Sequence, residues 1–311
     1  MKRLFIIGNG FDIAHGLPTK YDDFKEYVKR RYPNYINGFD GVIETIFMPD
    51  GEEVYDMDKV VGLLFNVFDE IAGKDWSALE RSLGDAVLTA MINQYEWEFK
   101  EINVYIDGEP GGLLYSNVDV SMRICGAFFK LKELFEEWVY KELSIIDYKK
   151  ITAFKDRPPF EDALFLNFNY THTLEEVYGI KEENILHIHG DCLNKGEQII
   201  FGHGDEVDYH EDSPCLGIEP AFIEFNKNMK KDVESIIINN CKFFRGLRDI
   251  DEIYTYGFSF SDVDEPYIRE ICKSIDKNKV IWFFNNWDFK NHKEYMAHIS
   301  KRGIKTDKYE W

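Results

Sequence analysis

The chain has 311 residues, 44% hydrophobic and 16% aromatic, which excludes a disordered polymer and allows one large domain or two ordinary ones. A formal net charge of −20 argues against general affinity for nucleic acid or for an anionic membrane surface, where a cationic footprint supplies much of the binding. Only four strongly apolar residues follow Met1-Lys2-Arg3, no run reaches the roughly 20 apolar residues of a membrane span, and the five cysteines are scattered without a C-x-x-C pair, so a cytoplasmic protein with reduced thiols, no structural zinc and no membrane partner is expected.

A first strand is predicted over Leu4–Ile7, followed by a long stretch of helical character. Tyr21–Arg31 is amphipathic and stopped by Pro33, and Asp58–Ala72 carries a wide apolar stripe. Ser77–Asn93 opens with Ser77 and Glu80 in capping-box spacing. Met122–Leu143 places Ile124, Phe128, Leu131, Phe135 and Trp138 near helical spacing, and between these helices Gln94–Asn117, with Gly-Glu-Pro-Gly-Gly at 108–112, reads as a hairpin or loop. Beyond residue 160 short apolar runs (Ala163–Phe168, Ile185–Ile188, Gln198–Phe201, Ile253–Tyr256 and Val280–Phe284) alternate with helical patterns at Thr173–Tyr178, Ala221–Phe244, Glu265–Ile275 and Phe289–Lys301. That alternation predicts an α/β fold with a mostly parallel, Rossmann-like sheet flanked by helices. Residues 1–20 and 151–311 would form the α/β domain, and 21–150 a mainly helical insertion after the first strand.

Ligands of open parallel sheets bind beyond the C-terminal strand ends. Here those ends read Gly8-Asn9-Gly10-Phe11-Asp12, Asn167-Phe168-Asn169-Tyr170-Thr171-His172, His187-Ile188-His189-Gly190-Asp191, Phe201-Gly202-His203-Gly204-Asp205, Gly257-Phe258-Ser259-Phe260-Ser261-Asp262 and Asn285-Asn286. G-x-G after a strand permits close approach of a phosphate to the backbone. Ile13 stands at the third glycine position, so a conventional dinucleotide fingerprint is incomplete, and a plain strand-to-helix turn with Asp12 as a cap is the competing reading. Asn167 and Asn169 alternate, and either could orient a hydroxyl or a water, or serve as a turn residue. His187 and His189 alternate as well: they could bind a metal with His203 or Asp205, His189 could act as a general base, or both could be satisfied buried histidines. Gly257-Phe258-Ser259-Phe260-Ser261 lacks the second glycine of a nucleophile elbow; Ser259 or Ser261 could donate to a phosphate, and Asp262 or Asp264 could cap the next helix.

The ordered set GNGFDIAHGLPT, Trp76-x-x-Leu79-Glu80, FNYT, HIHGD and GFSFSD, from Leu4 to about Asn286, resembles the AbiH family of bacteriophage abortive-infection proteins. A more distant similarity is to sirtuin-type NAD-consuming domains, through Gly8-Asn9-Gly10, Asn169, His189-Gly190, Gly257-Phe258-Ser259 and Asn285 in that order. The four-cysteine zinc module of sirtuin deacetylases has no counterpart here, so the resemblance implies NAD+ hydrolysis in phage defence, with NAD+ as substrate and no metal. It implies that backbone N–H groups of Gly8, Asn9, Gly10 and Phe11 cradle the diphosphate, and that Asp12 faces the ribose or the developing cation. Asn169 would orient ribose or water, and His189 would be the base. Gly257, Ser259 and Asn285 would hold the adenosine half. The implied partners are a small-molecule nucleotide and a phage-derived or host activator, with room for a homo-oligomer. Two other functions fit the same residues: a nucleotide-binding sensor without catalysis, and a metal-dependent hydrolase or nuclease using His187, His189, His203 and Asp205.

Overall fold

The computed structural model describes residues 1–39, 41, 43, 45–51, 53–95, 111–196, 198–204 and 218–310. Its strands are β1 (Arg3–Ile7), β2 (Thr45–Phe47), β3 (Glu53–Tyr55), β4 (Ala163–Asn167), β5 (Ile185–His187), β6 (Glu252–Tyr256), β7 (Ile281–Asn285) and β8 (Lys305–Tyr309). Six of them form one all-parallel sheet in the order β5-β4-β1-β6-β7-β8. This is the strand order of the dinucleotide-binding fold, with the order reversing at β1 and β6. The chain divides into two compact units. The first comprises Met1–Lys20, Val139–Ile200 and Asp232–Trp311, and holds this sheet; the second comprises Tyr21–Trp138 and Phe201–Lys231.

The period of two along β1 assigns its residues to two cores. Leu4 and Ile6 point to one face with Leu166, Ile253, Trp282 and Phe284, where helix Glu265–Ser274 packs Tyr267, Ile268 and Ile271. Phe5 and Ile7 point to the other, with Phe165, Tyr254, Phe11 and Leu174, the last two from helices Asn9–Ala14 and Thr173–Tyr178. Phe5 stacks on Phe165 at 5.1 Å and on Tyr254 at 5.0 Å, and Tyr254 stacks on Phe283 at 4.9 Å, so an aromatic ladder crosses four strands. Truncating Phe5 to alanine would cost about 3–5 kcal/mol, as for other large buried aromatics.

The second unit is built on helices Tyr21–Arg31, Met57–Ile71, Asp85–Tyr95 and Glu219–Met229 with the β2–β3 hairpin. Its core holds the fully buried Trp76, against Phe65 at 5.0 Å and Phe24 at 5.9 Å. The buried Lys25 donates to Asp69 Oδ1 (2.5 Å) and to the Lys74 carbonyl (2.7 Å), and the Trp76 Nε1–H donates to the same Asp69 oxygen at 2.7 Å. Glu80 pairs with the buried Lys231 at 2.8 Å. Trp76 and Glu80 of the Trp76-x-x-Leu79-Glu80 motif thus each satisfy a polar partner within this unit.

Several expected elements differ. Gln198–Phe201 is not a strand; Ile199 and Phe201 are buried, and that burial produced the apolar run. The expected Ser77 cap is absent, because the helix begins at Leu79 with Ala78 before it. Gly111–Asn117 lies in helix Gly111–Lys141 rather than in a loop, while residues 96–110 lie outside the described residues. The expected helix Ala221–Phe244 breaks at Lys230, where His203 bridges to Lys230 and Asp232 caps a new start by accepting from Ser235 N–H. β8 was not expected: its alternating polar residues on a sheet edge carry no apolar signal. Among the described residues no helix is long and apolar enough to cross a membrane.

Candidate functional site

All the polar strand ends of the sheet lie at its C-terminal edge, and most of their side chains bind one another. Gly8 N–H extends the ladder to the Tyr256 carbonyl, Gly10 N–H donates to the Gly257 carbonyl, and Phe11 N–H donates to the Gly8 carbonyl, each within 3.0 Å. A Cβ on Gly8 would stand 2.5 Å from the Gly257 carbonyl oxygen, and one on Gly10 would stand 2.6 Å from Gly257 Cα. Gly257 itself has φ of +64°, a left-handed conformation that favours glycine. The three glycines thus let two backbones touch at the reversal point of the sheet. Three of the N–H groups proposed as a phosphate cradle already have protein acceptors.

Asn9 is tied back to Thr19, donating to its carbonyl at 2.7 Å and accepting from its hydroxyl at 2.6 Å. His15 donates from Nδ1 to the Phe11 carbonyl at 2.7 Å and accepts from the Tyr178 hydroxyl at 2.8 Å. Asp12 is buried and is not a helix cap: its two oxygens accept from the hydroxyls of Thr171 (2.5 Å) and Thr173 (2.8 Å). Burial pushes its carboxyl up to about 6, against the lowering effect of Thr171, Thr173 and Asn169. Asn169 is buried and donates to the Gly8 carbonyl at 3.1 Å, and its own N–H is held by Asn167 Oδ1 at 3.1 Å. Asn285 caps helix Asn286–Asn291, accepting from the N–H groups of Trp287 and Asp288, while its amide donates to Asp288 at 2.5 Å. Ser259 is exposed.

Two clusters extend beyond this lattice. The first centres on His189, which is buried with Phe168 edge-on at 5.2 Å and Tyr267 at 5.9 Å. Its Nε2 stands 3.6 Å from Asp264 Oδ1, and the other Asp264 oxygen accepts from the Ser261 hydroxyl at 3.1 Å. Asp264 occupies the residue before helix Glu265–Ser274, yet makes no capping hydrogen bond there. It faces the histidine instead of filling the capping role expected of it.

The second cluster is His172, Glu175 and His187, whose donor atoms lie within 4.8 Å of one another. His187 ends β5, opposite Asn167 in the register, and His172 precedes helix Thr173–Tyr178, which carries Glu175. His187 Nε2 is 2.7 Å from Glu175 Oε1, and its Nδ1 is 3.2 Å from the Asn169 carbonyl. Burial opposes its charge, but the Glu175 carboxylate and the Asn169 carbonyl outweigh that effect and raise its pKa. His172 stacks on His187 at 5.2 Å, with Nδ1 3.6 Å from Glu175 and Nε2 3.0 Å from Asp191. This set differs from the metal ligands expected on spacing alone. His189 has separate neighbours, His203 lies in the second unit with Nε2 on the Asn226 carbonyl at 3.2 Å, and Asp205 lies outside the described residues. The H-x-x-E spacing of His172 and Glu175, one helical turn apart, was the available signal; Asp264 had none beyond its proximity to Ser261.

The family model for the bacteriophage abortive infection AbiH proteins matches residues 4–286. Searches of curated proteins and of solved structures each find no match. With the matched span running from β1 through the end of β7, the chain belongs to the AbiH family of bacteriophage abortive-infection proteins.

Proposed function

We propose that this protein acts in phage defence by hydrolysing NAD+ at the C-terminal edge of its sheet, releasing nicotinamide. The observation that carries the reading is His189 beside Asp264 at the strand ends of a sheet in dinucleotide-binding order. The Asp264 carboxylate beside the ring favours the imidazolium that forms when His189 takes a proton. In the step, water oxygen bonds to C1′ of the nicotinamide ribose as the C1′–N bond breaks. The bonding pair leaves with nicotinamide, which becomes neutral, and the water proton passes to His189. Charge develops on the ribose as an oxocarbenium-like state. Asn169 positions the β1 loop through the Gly8 carbonyl, and the exposed Ser259 is available to the adenosine half.

Phe168 and Tyr267 enclose the imidazole in this conformation, so activity belongs to an opened form that a phage-derived or host activator produces. The test follows free nicotinamide from purified protein and NAD+, with and without extract of phage-infected cells. Release by wild type and none by His189→Ala is expected. Absence of release in every condition, or equal release by His189→Ala, overturns the reading; tight NAD+ binding without turnover would mark a sensor instead.

A further inference from the structure

The geometry points to a binding site for one divalent first-row transition-metal ion, zinc by its donor set, held by His172 Nδ1, Glu175 and His187 Nε2 in the first unit. Two imidazoles and one carboxylate are the donors of open, three-ligand zinc sites, in which a fourth position is left to water or substrate. Tetrahedral bonding at about 2.0–2.2 Å separates such donors by roughly 3.3 Å. The His172–Glu175 distance is 3.6 Å and the His187–Glu175 distance 2.7 Å. A sub-ångström shift of the Glu175 carboxylate brings both to the required value, with the ion replacing the proton shared between Glu175 and His187, and the two imidazole nitrogens, which lie within 4.8 Å of each other, close on the ion together.

Three independent features support a built site. Each imidazole has an acceptor beside its remote nitrogen: the Asn169 carbonyl accepts from His187 Nδ1 at 3.2 Å, and an Asp191 oxygen stands 3.0 Å from His172 Nε2, without hydrogen-bond geometry. Asp191 is in turn anchored by the N–H groups of Leu193 and Asn194, both at 2.8 Å. Such outer partners set ring orientation around bound metals and raise ligand basicity. Second, Glu175 Oε2 is buried without a hydrogen-bond partner, on a side chain only 10% exposed. A buried carboxylate oxygen left bare is costly, and a cation satisfies it. Third, the three ligands line a cavity of about 530 Å³ shared with Glu182, Asp191 and Asn194, so the open coordination position has somewhere to face and the lining is anionic. Since His187 also holds the Asn169 carbonyl, metal occupancy would brace the loop after β4.

The test uses the full chain, stripped with chelator and dialysed, then titrated with Co2+ or Zn2+ alone. One equivalent per chain is expected, with a visible Co2+ absorption band and protection of His172 and His187, but not His189, from acylation mapped by peptide mass. Glu175→Gln, which keeps size and shape, should weaken binding more than about 100-fold, and Asp191→Asn by about 10–100-fold, the usual loss for an outer partner. A wild-type chain that takes up neither ion overturns the site. Uptake without protection of His172 and His187 overturns it as well, whether or not the variants fold. These readouts do not involve nicotinamide release, so failure here is distinguishable from failure of the hydrolase reading.

Discussion

His187 ends an edge strand and turns its ring between a carboxylate and a carbonyl, whereas His189, two residues on, lies against Phe168 and Tyr267 with Asp264 Oδ1 3.6 Å away. In a continuing strand the two would share a face. β5 stops at His187, however, and Gly190 with φ of +85° turns the chain, so the two rings have different neighbours. The contrast shows how one short motif can place two histidines in different surroundings. The first histidine sits between Glu175 and the Asn169 carbonyl, and the second against two aromatic rings beside Asp264.

Removing each histidine in turn, with activity and stability read separately, tells the two surroundings apart. His189→Gln should lower nicotinamide release by about 10²–10⁴-fold, the usual contribution of a general base, with little change in Tm. His187→Ala should instead destabilise by about 3–5 kcal/mol, because it leaves Glu175 buried without the imidazole 2.7 Å from it. Replacing both His187 and Glu175 by leucine should recover most of that loss. Urea unfolding of the set decides, and equal destabilisation by the single and double variants would contradict the assignment.

A slightly smaller effect tests Asp12, whose carboxyl holds Thr171 and Thr173 of the segment after β4. Asp12 in the folded chain holds its proton up to about pH 6, against an ordinary value of 3.8. The folded state therefore binds the proton more tightly than the unfolded chain. The stability associated with this group is fully present below pH 3.8 and is lost as pH rises through about 6. At about 1.4 kcal/mol per pH unit the loss amounts to about 3 kcal/mol. About 1.4 kcal/mol of that decline falls between pH 5 and pH 8, and Asp12→Asn should remove it when unfolding free energies at the two pH values are compared; an unchanged slope would show that the carboxyl is not the source. The smallest expected effect is at Ser259. Its exposure predicts a stability change within about 0.5 kcal/mol for Ser259→Ala, together with weaker NAD+ binding by calorimetry.

Much of the sheet was legible because its strands are buried on both faces: Leu4–Ile7 and Val280–Phe284 are near-continuous apolar runs. β8 was not, since an edge strand reading Lys305-Thr306-Asp307-Lys308-Tyr309 carries its hydrogen bonds without burying a face. At the candidate site the motif residues were legible as a set, but their division of labour was not. Gly8, Gly10, Asn9 and Asp12 resemble ligand-binding residues in a linear reading, yet each has a partner at Gly257, Thr19 or Thr171 and Thr173, which only the fold brings near. Glu175 and Asp264 carry no site signal of their own, because a carboxylate at the start of a helix reads as a local cap or dipole partner. Their histidine partners lie 12 and 75 residues away in sequence.

β1 occupies the centre of the sheet, but its two neighbours come late in the chain: Arg3 pairs with Ala163 on one side and with Glu252 on the other. Pairings of such separation are slow to form, and none can form before the partner exists. At a synthesis rate of roughly 5–20 residues per second, the first strand waits on the order of 10–50 s for β6 to emerge. The glycine contact between the β1 and β6 loops waits with it, as does the placement of His189 against Asp264. Any activity at these strand ends is therefore withheld from nascent chains. A ribosome that stalls before residue 252 leaves a fragment without the centre of its sheet closed, so interrupted translation during infection would leave the site unassembled in unfinished copies.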